Sequence, residues 1–600
     1  MENQRNLILT VVLMGLLLIG WDIGLKYFYP QSGQKPKAVA SAPAATGDAA
    51  PAKPTREGGL QSPADQALEK QDLAQALAAP TRVAIDAPGL KGSINLIGGA
   101  IDDLTLARHR EALDRNSPPV RLFSPAGTPA QHFAQLGWAS KGGGFAVPDQ
   151  RTPWTVEGAK LTPASPVTLR WSNPTGQTFA IRYAIDDNYM ITATQSVANA
   201  GAAPVVVQPI AQINRTDRTA SVDTWQVHSG PIGAFDGSVS FATNYKDVAG
   251  AGTVTAAGKP NWIGFTDIYW LSALVPDAGA KVDADYRALG NGLFLADLLY
   301  QPVTVAPGQT QSQTLRLFAG AKENKILEAY EQQGVTNLSL SIDWGWFRWF
   351  EKPIFWLLDS LFRAVKNFGL AIILLTLIVR GMMFPIAQRQ FASMANMRAV
   401  QPKMKAIQER YKDDKQKQQQ EVMALYKAEG VNPLAGCLPI FLQIPVFFAL
   451  YKVLVLTIEM RHQPFGLWIH DLSSPDPLHV LNLFGLLPFT PPSFLAIGPL
   501  AILLGITMWL QFKLQPAAMD PAQQQVMGIM PWMMMFVMAP FATGLLIYWI
   551  TSNILTIAQQ RYLYSRHPQL KAQDAKNQQD IDRAVARDKK TAASNKPKPR

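Results

Sequence analysis

Arg380 is the residue whose chemistry most needs explaining. It lies in Gly369–Phe384, GLAIILLTLIVRGMMF, which is apolar except for Thr376 and Arg380. A guanidinium at the centre of a bilayer span costs about 2.5–3.5 kcal/mol on insertion scales. The next charge toward the C-terminal side is Arg389, nine residues on, or about 13 Å of helix. That is further than a snorkelling side chain reaches. No Asp or Glu occurs in this or the later apolar runs except Glu459, at an edge. The spacing therefore predicts a hydrated recess holding an uncompensated positive charge. Thr376 stands one turn before Arg380 on the same face. Gln443, Thr551, Ser552 and Asn553 add uncharged polar groups in two further apolar runs. Hydrogen bonding between helices is the alternative use of such residues, and for Ser552 and Asn553 the two readings stand level.

A cationic recess within lipid suits two functions. A solute transporter needs a coupling-ion site and usually repeated halves, and the sequence has neither repeats nor carboxylates in its apolar runs from Gly369 onward. An insertase needs a polar recess that receives hydrophilic residues of a nascent segment and lowers the desolvation barrier in steps. Its arginine would attract acidic residues of short translocated tails. No GxxxxGK(S/T) loop is present, so neither reading has an internal ATP motor.

The elements that position these residues are apolar runs of near-spanning length. Leu7–Tyr29 comes first; no small-x-small site follows it closely, which favours a retained anchor over a cleaved signal. Gly369–Phe384, Pro439–Ile458, Phe494–Phe512, Met527–Phe541 and Gly544–Ile557 complete six expected spans. Leu481–Phe489 is too short to cross and reads as interfacial. Residues 387–432 hold nine Lys/Arg, and the tail after Ile557 holds eleven against four acids. The positive-inside rule puts both in the cytoplasm, hence the N-terminus too, with the long segment after the first span outside.

Of 600 residues 48% are hydrophobic and 16% charged, with 55 Lys+Arg against 44 Asp+Glu. That apolar content excludes disorder throughout. The single Cys437 excludes an intramolecular disulfide framework and a Cys-based zinc site. Residues 31–80, rich in Ala and Pro, read as a tether. Residues 81–320 show period-2 runs at Phe179–Ile185, Ser238–Phe241, Tyr269–Val275 and Thr314–Phe318, which predict a large β-sandwich, with a helix at Lys322–Gln333. His109, His132 and His228 lie there in no catalytic spacing; a carbohydrate-binding role for such a sandwich is a further alternative. Ser341–Asn367 carries eight aromatic residues among charges and predicts an interfacial helix, with Pro353 opening a fresh segment. Met397, Val400, Met404, Ile407 and Tyr411 share one helix face, and after KDDK a second helix over Gln416–Glu429 brings Met423. The two form a cytoplasmic hairpin whose Met residues either pack its seam or offer an adaptable surface to apolar clients. Pro402 is expected to kink or restart the first helix.

The stretches LTLIVRGMMFPIAQRQFASMANMRAVQPKMKAIQERYKDDKQK, EVMALYKAEGVNPLAGCLPIFLQIPVFFALY, LWIHDLSSPDP and FATGLLIYWITSNILTIAQQ resemble the YidC-type membrane protein insertases, from about Trp344 to Tyr562. The anchor and exported domain resemble the Gram-negative form of that family. The resemblance implies a polytopic α-helical membrane protein with six transmembrane helices, a five-helix insertase core and a periplasmic β-sandwich of supersandwich type without catalysis. It implies a groove containing Arg380 and Thr376, to which Gln443, Ser552 and Asn553 add polar groups. Tyr548 and Trp549 fall where the family has an aromatic pair contacting the client, Trp549 replacing a second Tyr. Met397, Met404, Tyr411 and Met423 form the expected client-capture hairpin.

The implied parts are an N-terminal anchor (1–30), a periplasmic linker (31–80), the β-sandwich (81–340) and an interfacial helix (341–367). The second transmembrane helix (368–386), the hairpin (387–433), transmembrane helices three to six (434–562) and a basic tail (563–600) follow. Expected partners are nascent inner-membrane proteins, the Sec translocon, the lipid bilayer, and the ribosome through hairpin and tail. Anionic lipid accounts for the tail's charge equally well. The chain is expected to act in the inner membrane as a monomer, without metal, cofactor or DNA, and not as an enzyme.

Overall fold

The computed structural model describes residues 38–40, 72–78, 81–114, 116–141, 144–221, 227–411, 414–430, 438–487, 496–514 and 521–566. The anchor, most of the linker and the tail beyond residue 566 lie outside the described residues. The chain divides into two units, the first closing at Gly345 and the second opening at Trp346.

In the first unit, alternation of apolar and polar residues produces two sheets that face each other, antiparallel except where Arg82–Asp86 pairs in parallel with Lys160–Leu161. The strand Gln177–Ile185 buries Phe179, Ile181, Tyr183 and Ile185, the positions its period-2 pattern marks. The twelve-stranded sheet runs from Ala38–Ala40 through Gly252–Thr255, Val282–Gly290, Leu293–Tyr300, Val205–Thr216, His132–Ser140, Ile101–Arg110, Leu90–Asn95 and Arg82–Asp86 to Lys160–Leu161. Val303–Val305 and Pro119–Phe123 pair alongside it. The nine-stranded sheet runs Ser238–Ser240, Gly230–Phe235, Pro260–Thr266, Trp270–Pro276, Thr310–Ala321, Met190–Asn199, Gln177–Ile185, Val167–Ser172 and Thr155–Glu157.

Trp262, Phe265, Phe318 and Tyr183 are fully buried in this unit. Trp270–Pro276 is buried at every position rather than alternately, as a strand covered on both faces must be. Helices α1 (Tyr245–Ala251) and α2 (Asn324–Gln332) pack on the sheets. Tyr330 of α2 donates to Asp186 at 2.6 Å and accepts from the Tyr189 amide at 3.0 Å. Two pieces of the Ala/Pro-rich stretch take regular structure: Ala38–Ala40 pairs with Gly252–Thr255, and 72–77 is helical. Once a neighbouring edge supplies hydrogen-bond partners, a poor core former can still join a ladder.

Each histidine of this unit has a structural partner. His132 is buried against Ser272 Oγ (3.0 Å), and its pKa is held well below the usual value by burial and then by Arg215. His109 meets Glu323 at 3.1 Å, and His228 Nε2 donates to the Pro231 carbonyl at 2.9 Å. Arg215 and Asp267 form an ion pair at 2.5 Å with both side chains almost fully enclosed.

The second unit is helical. α3 (Arg348–Val365) runs through Pro353 without restarting. As the sixth residue of α3, Pro353 forfeits the one bond its N–H would give the Trp349 carbonyl, and the helix continues past that loss. Trp349 and Trp356 are exposed while Ile354, Phe355 and Leu358 are buried, the two-faced pattern expected of this segment. Lys366 stops α3 with φ +56°, and Asn367 then caps α4 (Phe368–Arg410) by accepting from the Leu370 amide at 3.0 Å. α4 is a single 43-residue helix, continuous through Pro402, so the expected restart there does not occur. α5 (Lys415–Ala428) begins at Asp414, which accepts from the Lys417 amide at 3.0 Å, and packs back on the end of α4.

α6 (Leu438–Leu456), α7 (Pro499–Leu514), α8 (Pro521–Met538) and α9 (Thr543–Ser565) complete the unit. Of the described helices, Phe368–Gln388 is long and apolar enough to cross a bilayer; Gln443–Leu456, Pro499–Leu514 and Gly528–Met538 are shorter apolar helices. Met382, Phe448, Ile506, Trp532, Phe536 and Ile554 are exposed large apolar residues on five of these helices. Such a belt requires a non-aqueous surrounding or a partner.

Candidate functional site

α9 is the hub of the helical unit. It packs against α4 on one side and α7 on another, and α8 packs on α7. Its start is set by the loop after α6, where LWIHDLSSPDP acts as a clamp. Asp471 accepts from Ser473 Oγ and Ser474 Oγ, each at 2.7 Å. The Ser474 carbonyl accepts from the Thr543 amide at 2.8 Å, and the Leu472 carbonyl from Gly544 at 2.9 Å, fixing the start of α9. Asp476 accepts from the Leu500 amide at 3.1 Å and so caps α7. A Cβ on Gly498 would meet that carboxylate at 2.5 Å, so the close approach needs glycine.

Four consecutive-turn positions of α9 then reach three different helices. Ser552 faces α4, where Arg380 Nε donates to its Oγ at 3.0 Å and Arg380 Nη2 donates to the same oxygen. Tyr548, one turn earlier on that face, accepts from Gln443 Nε2 of α6. Trp549 packs edge-to-face on Phe447 of α6, ring centroids 5.1 Å apart. Asn553 Nδ2 donates to Thr507 Oγ1 of α7 at 3.2 Å. Tyr548, Ser552 and Asn553 are buried, and Arg380 is half-buried.

Thr376 is fully buried and gives its hydroxyl to the Ile372 carbonyl at 2.7 Å, within its own helix. It is adjacent to Arg380 along α4 but spends its donor locally. Among the described residues no carboxylate pairs with Arg380, and its Nη1 has no protein partner. The guanidinium is thus oriented by a neutral hydroxyl, and its charge is not cancelled within the cluster. Thr507 and Phe447 were not singled out by sequence; the lone hydroxyl in the apolar run Phe494–Phe512 was the available signal for Thr507.

In the hairpin the Met residues separate into two classes. Met404 is buried and its sulfur accepts from Tyr426 Oη at 3.2 Å. Met423 is 50% exposed. Tyr411 is half-buried beneath Lys417, 5.5 Å from the ring centre. Lys403 and Glu429 pair at 2.5 Å across the base, and Gln418 Nε2 donates to the Gln408 carbonyl at 2.9 Å. The Met397 side chain lies outside the described residues.

Comparison with known proteins places the chain in a family. Residues 360–571 match the family described as 60Kd inner membrane protein, and residues 82–357 match the YidC periplasmic domain. The membrane protein insertase YidC of Zymomonas mobilis subsp. mobilis is 45% identical over 570 residues, 94% of this chain and 96% of that protein. The protein of the same name from Nitrobacter hamburgensis is 43% identical over 590 residues, 94% of this chain and 96% of that one. Among solved structures, an active YidC insertase with its first transmembrane domain resolved covers 80% of this chain and 92% of its own, at 18% identity and TM-score 0.36. The galactose mutarotase related enzyme of Lactobacillus acidophilus covers 40% of this chain and 97% of its own, at 10% identity and TM-score 0.30. On the full-length identity to curated relatives and both matched families, the chain belongs to the YidC family of membrane protein insertases.

Proposed function

We propose that this chain inserts nascent proteins into the inner membrane and helps them fold, using a hydrophilic groove around Arg380. The observation that carries the reading is the uncancelled guanidinium: Arg380 is held on α4 by the Ser552 hydroxyl, with no carboxylate paired to it among the described residues. A polar end of a client would rest near Arg380, losing its hydration in steps, while its hydrophobic segment slides along α6 and α8. Tyr548 and Trp549 contact the client from α9, and Thr376, Gln443, Ser552 and Asn553 line the polar interior. The hairpin, with Met397, Met404, Tyr411 and Met423, captures the client first.

Six spans with both termini cytoplasmic and the β-sandwich periplasmic complete the arrangement, the interfacial α3 leading into the second span. The chain works alone or beside the Sec translocon, and hairpin and tail meet the ribosome. The reading is supported by the lack of an ATP-binding loop in the sequence and by the names of the relatives, each a membrane protein insertase. Purified full-length protein in liposomes should insert a small single-span client without ATP. Failure to insert it, or uptake of a solute in its place, would overturn the assignment.

A further inference from the structure

The end strands of each sheet in the first unit have outer backbone groups that need partners or protection. At one end of the twelve-stranded sheet Lys160 is paired with Asp86, which Lys91 also meets at 3.1 Å. At one end of the nine-stranded sheet Glu157 is paired with Arg170 at 2.6 Å. Its other end, Ser238–Ser240, is three residues long, and Asn261 and Asn337 bond the amide and carbonyl of Gly237 just before it. Among the described residues the fourth end has no such device. Gly252–Thr255 lies in a run from Val248 to Gly258 without a charge or a proline. What covers this edge is Ala38–Ala40, with Ala38 opposite Val254, Val39 opposite Thr253 and Ala40 opposite Gly252. That cover reaches the edge across the 41 residues that separate Ala40 from Arg82.

We infer that Gly252–Thr255 is a strand-addition site for an extended, uncharged polypeptide segment, and that Ala38–Ala40 is its built-in, displaceable occupant. A ladder of three residues gains little net free energy per hydrogen bond. Against it stands the closure entropy of a 41-residue loop, which grows with length. A permanent cover is made by a charge, a proline or a bulge on the edge itself, and this one is none of them. Strand addition draws its affinity from the main chain, and the resident segment, Ala-Val-Ala, has no side chain larger than valine. No charge in the run 248–258 answers a Lys or Asp laid against it, which sets the uncharged class. A segment that covers all four residues of the edge with Thr and Val makes the longer ladder and has the higher strand preference. It therefore displaces the resident one.

This site does not depend on the insertase reading, since all its residues lie in the first unit and a chain unable to insert clients would still carry it. The test uses full-length protein in nanodiscs, in a Cys437→Ser background so that introduced thiols are the only ones. The probe is a labelled hexapeptide of alternating Thr and Val, capped at both ends and followed by fluorescence anisotropy. Ala38→Pro combined with Ala40→Pro removes amides the ladder needs. That variant should bind the peptide about tenfold more tightly than the parent, as follows if the resident segment holds the edge about nine-tenths of the time. Val39→Cys with Thr253→Cys places two thiols directly opposite, at the roughly 4.5–5.5 Å Cα spacing of antiparallel pairs, which a disulfide spans. The oxidised protein should not bind the peptide, and reduction should restore binding. The inference is overturned if oxidation fails to join the two cysteines, if the locked protein still binds, or if the proline variant binds no better than the parent. Equal binding of the same peptide N-methylated at every residue would overturn it too, since no ladder could form. So would pairing of the proline variant with a second copy of itself in place of peptide binding.

Discussion

At the residue scale the functional question is what a single guanidinium does when a hydroxyl, not a carboxylate, holds it. Two N–H groups of Arg380 converge on Ser552 Oγ, which orients the plane without neutralising it. If attraction for acidic residues is the arginine's contribution, Arg380→Ala should lower insertion of a client with an acidic translocated tail about tenfold more than a neutral-tailed one. That difference corresponds to about 1.4 kcal/mol, well within what two charges gain at intermediate dielectric. Arg380→Lys keeps the charge and should retain the preference while losing the forked bond to Ser552. Equal losses for both clients in an in vitro insertion assay would leave hydration as its only contribution. Arg380 was legible in the sequence because a lone charge in an apolar run has no cheap explanation. The partner of Asn553 was not: a hydroxyl such as Thr507 is inexpensive in a helix, since it can bond its own turn, as it does to the Leu504 carbonyl at 3.0 Å.

At the scale of elements, register and face decide what each residue type means. The sequence pattern marked Met404 and Met423 alike as hairpin positions, yet the antiparallel packing of α5 on α4 buries one and exposes the other. Periodicity locates a stripe on one helix but not how much of the stripe its partner covers. Met404→Ala should therefore destabilise the hairpin by roughly 2 kcal/mol, the usual cost of truncating a buried methionine, seen as faster amide exchange across α5. Met423→Glu should leave exchange unchanged and reduce crosslinking to an apolar client segment; unimpaired crosslinking would remove that face from client capture. Strand register carries a second such lesson. Asp285 and Asp297 stand directly opposite on neighbouring strands, with Arg287 Nε 3.0 Å from Asp297. Burial first, and then Asp285, push the Asp297 pKa up to about 7, Arg287 opposing them. An unfolded Asp titrates near ~3.9, so from about pH 4 to 7 the folded domain keeps a proton the unfolded chain has released. Its stabilising effect is complete below pH ~3.9 and is lost as pH rises through about 7. Asp297→Asn should match the parent near pH 4 and exceed it by roughly 1 kcal/mol or more near pH 7. Parallel stability curves for the two proteins over that range would refute the assignment. No one-dimensional pattern could have announced this pair, because the two residues meet only through the hairpin register.

At the scale of the whole molecule the two units rest on different physics, and that makes them separable by experiment. The first unit is held by its own core, with Phe265 packed against Tyr286 of the facing sheet, Trp262 buried on the opposite side of the same strand, and an enclosed Arg215–Asp267 pair. The second is held by α9 against its neighbours and by the Asp471 and Asp476 clamps. The class of each unit was legible because period 2 and long apolar runs differ in kind. The sequence also places a helix at Lys322–Gln333 within the part expected to run from 81 to 340. In the fold α2 belongs to the sandwich: Leu327 and Tyr330 are buried, and Tyr330 is bonded to Asp186 and Tyr189. A truncation that stopped at Gly320 would strand that apolar face in water and confuse aggregation with loss of function. Excising residues 81–340 removes sheets and α2 together. If the Arg380 groove does the inserting, the excised protein should retain at least about half the insertion rate on a small single-span client, a change under ~0.5 kcal/mol. A fall to the level of empty liposomes, with the helical unit still folded by circular dichroism, would instead place an indispensable step in the β-sandwich.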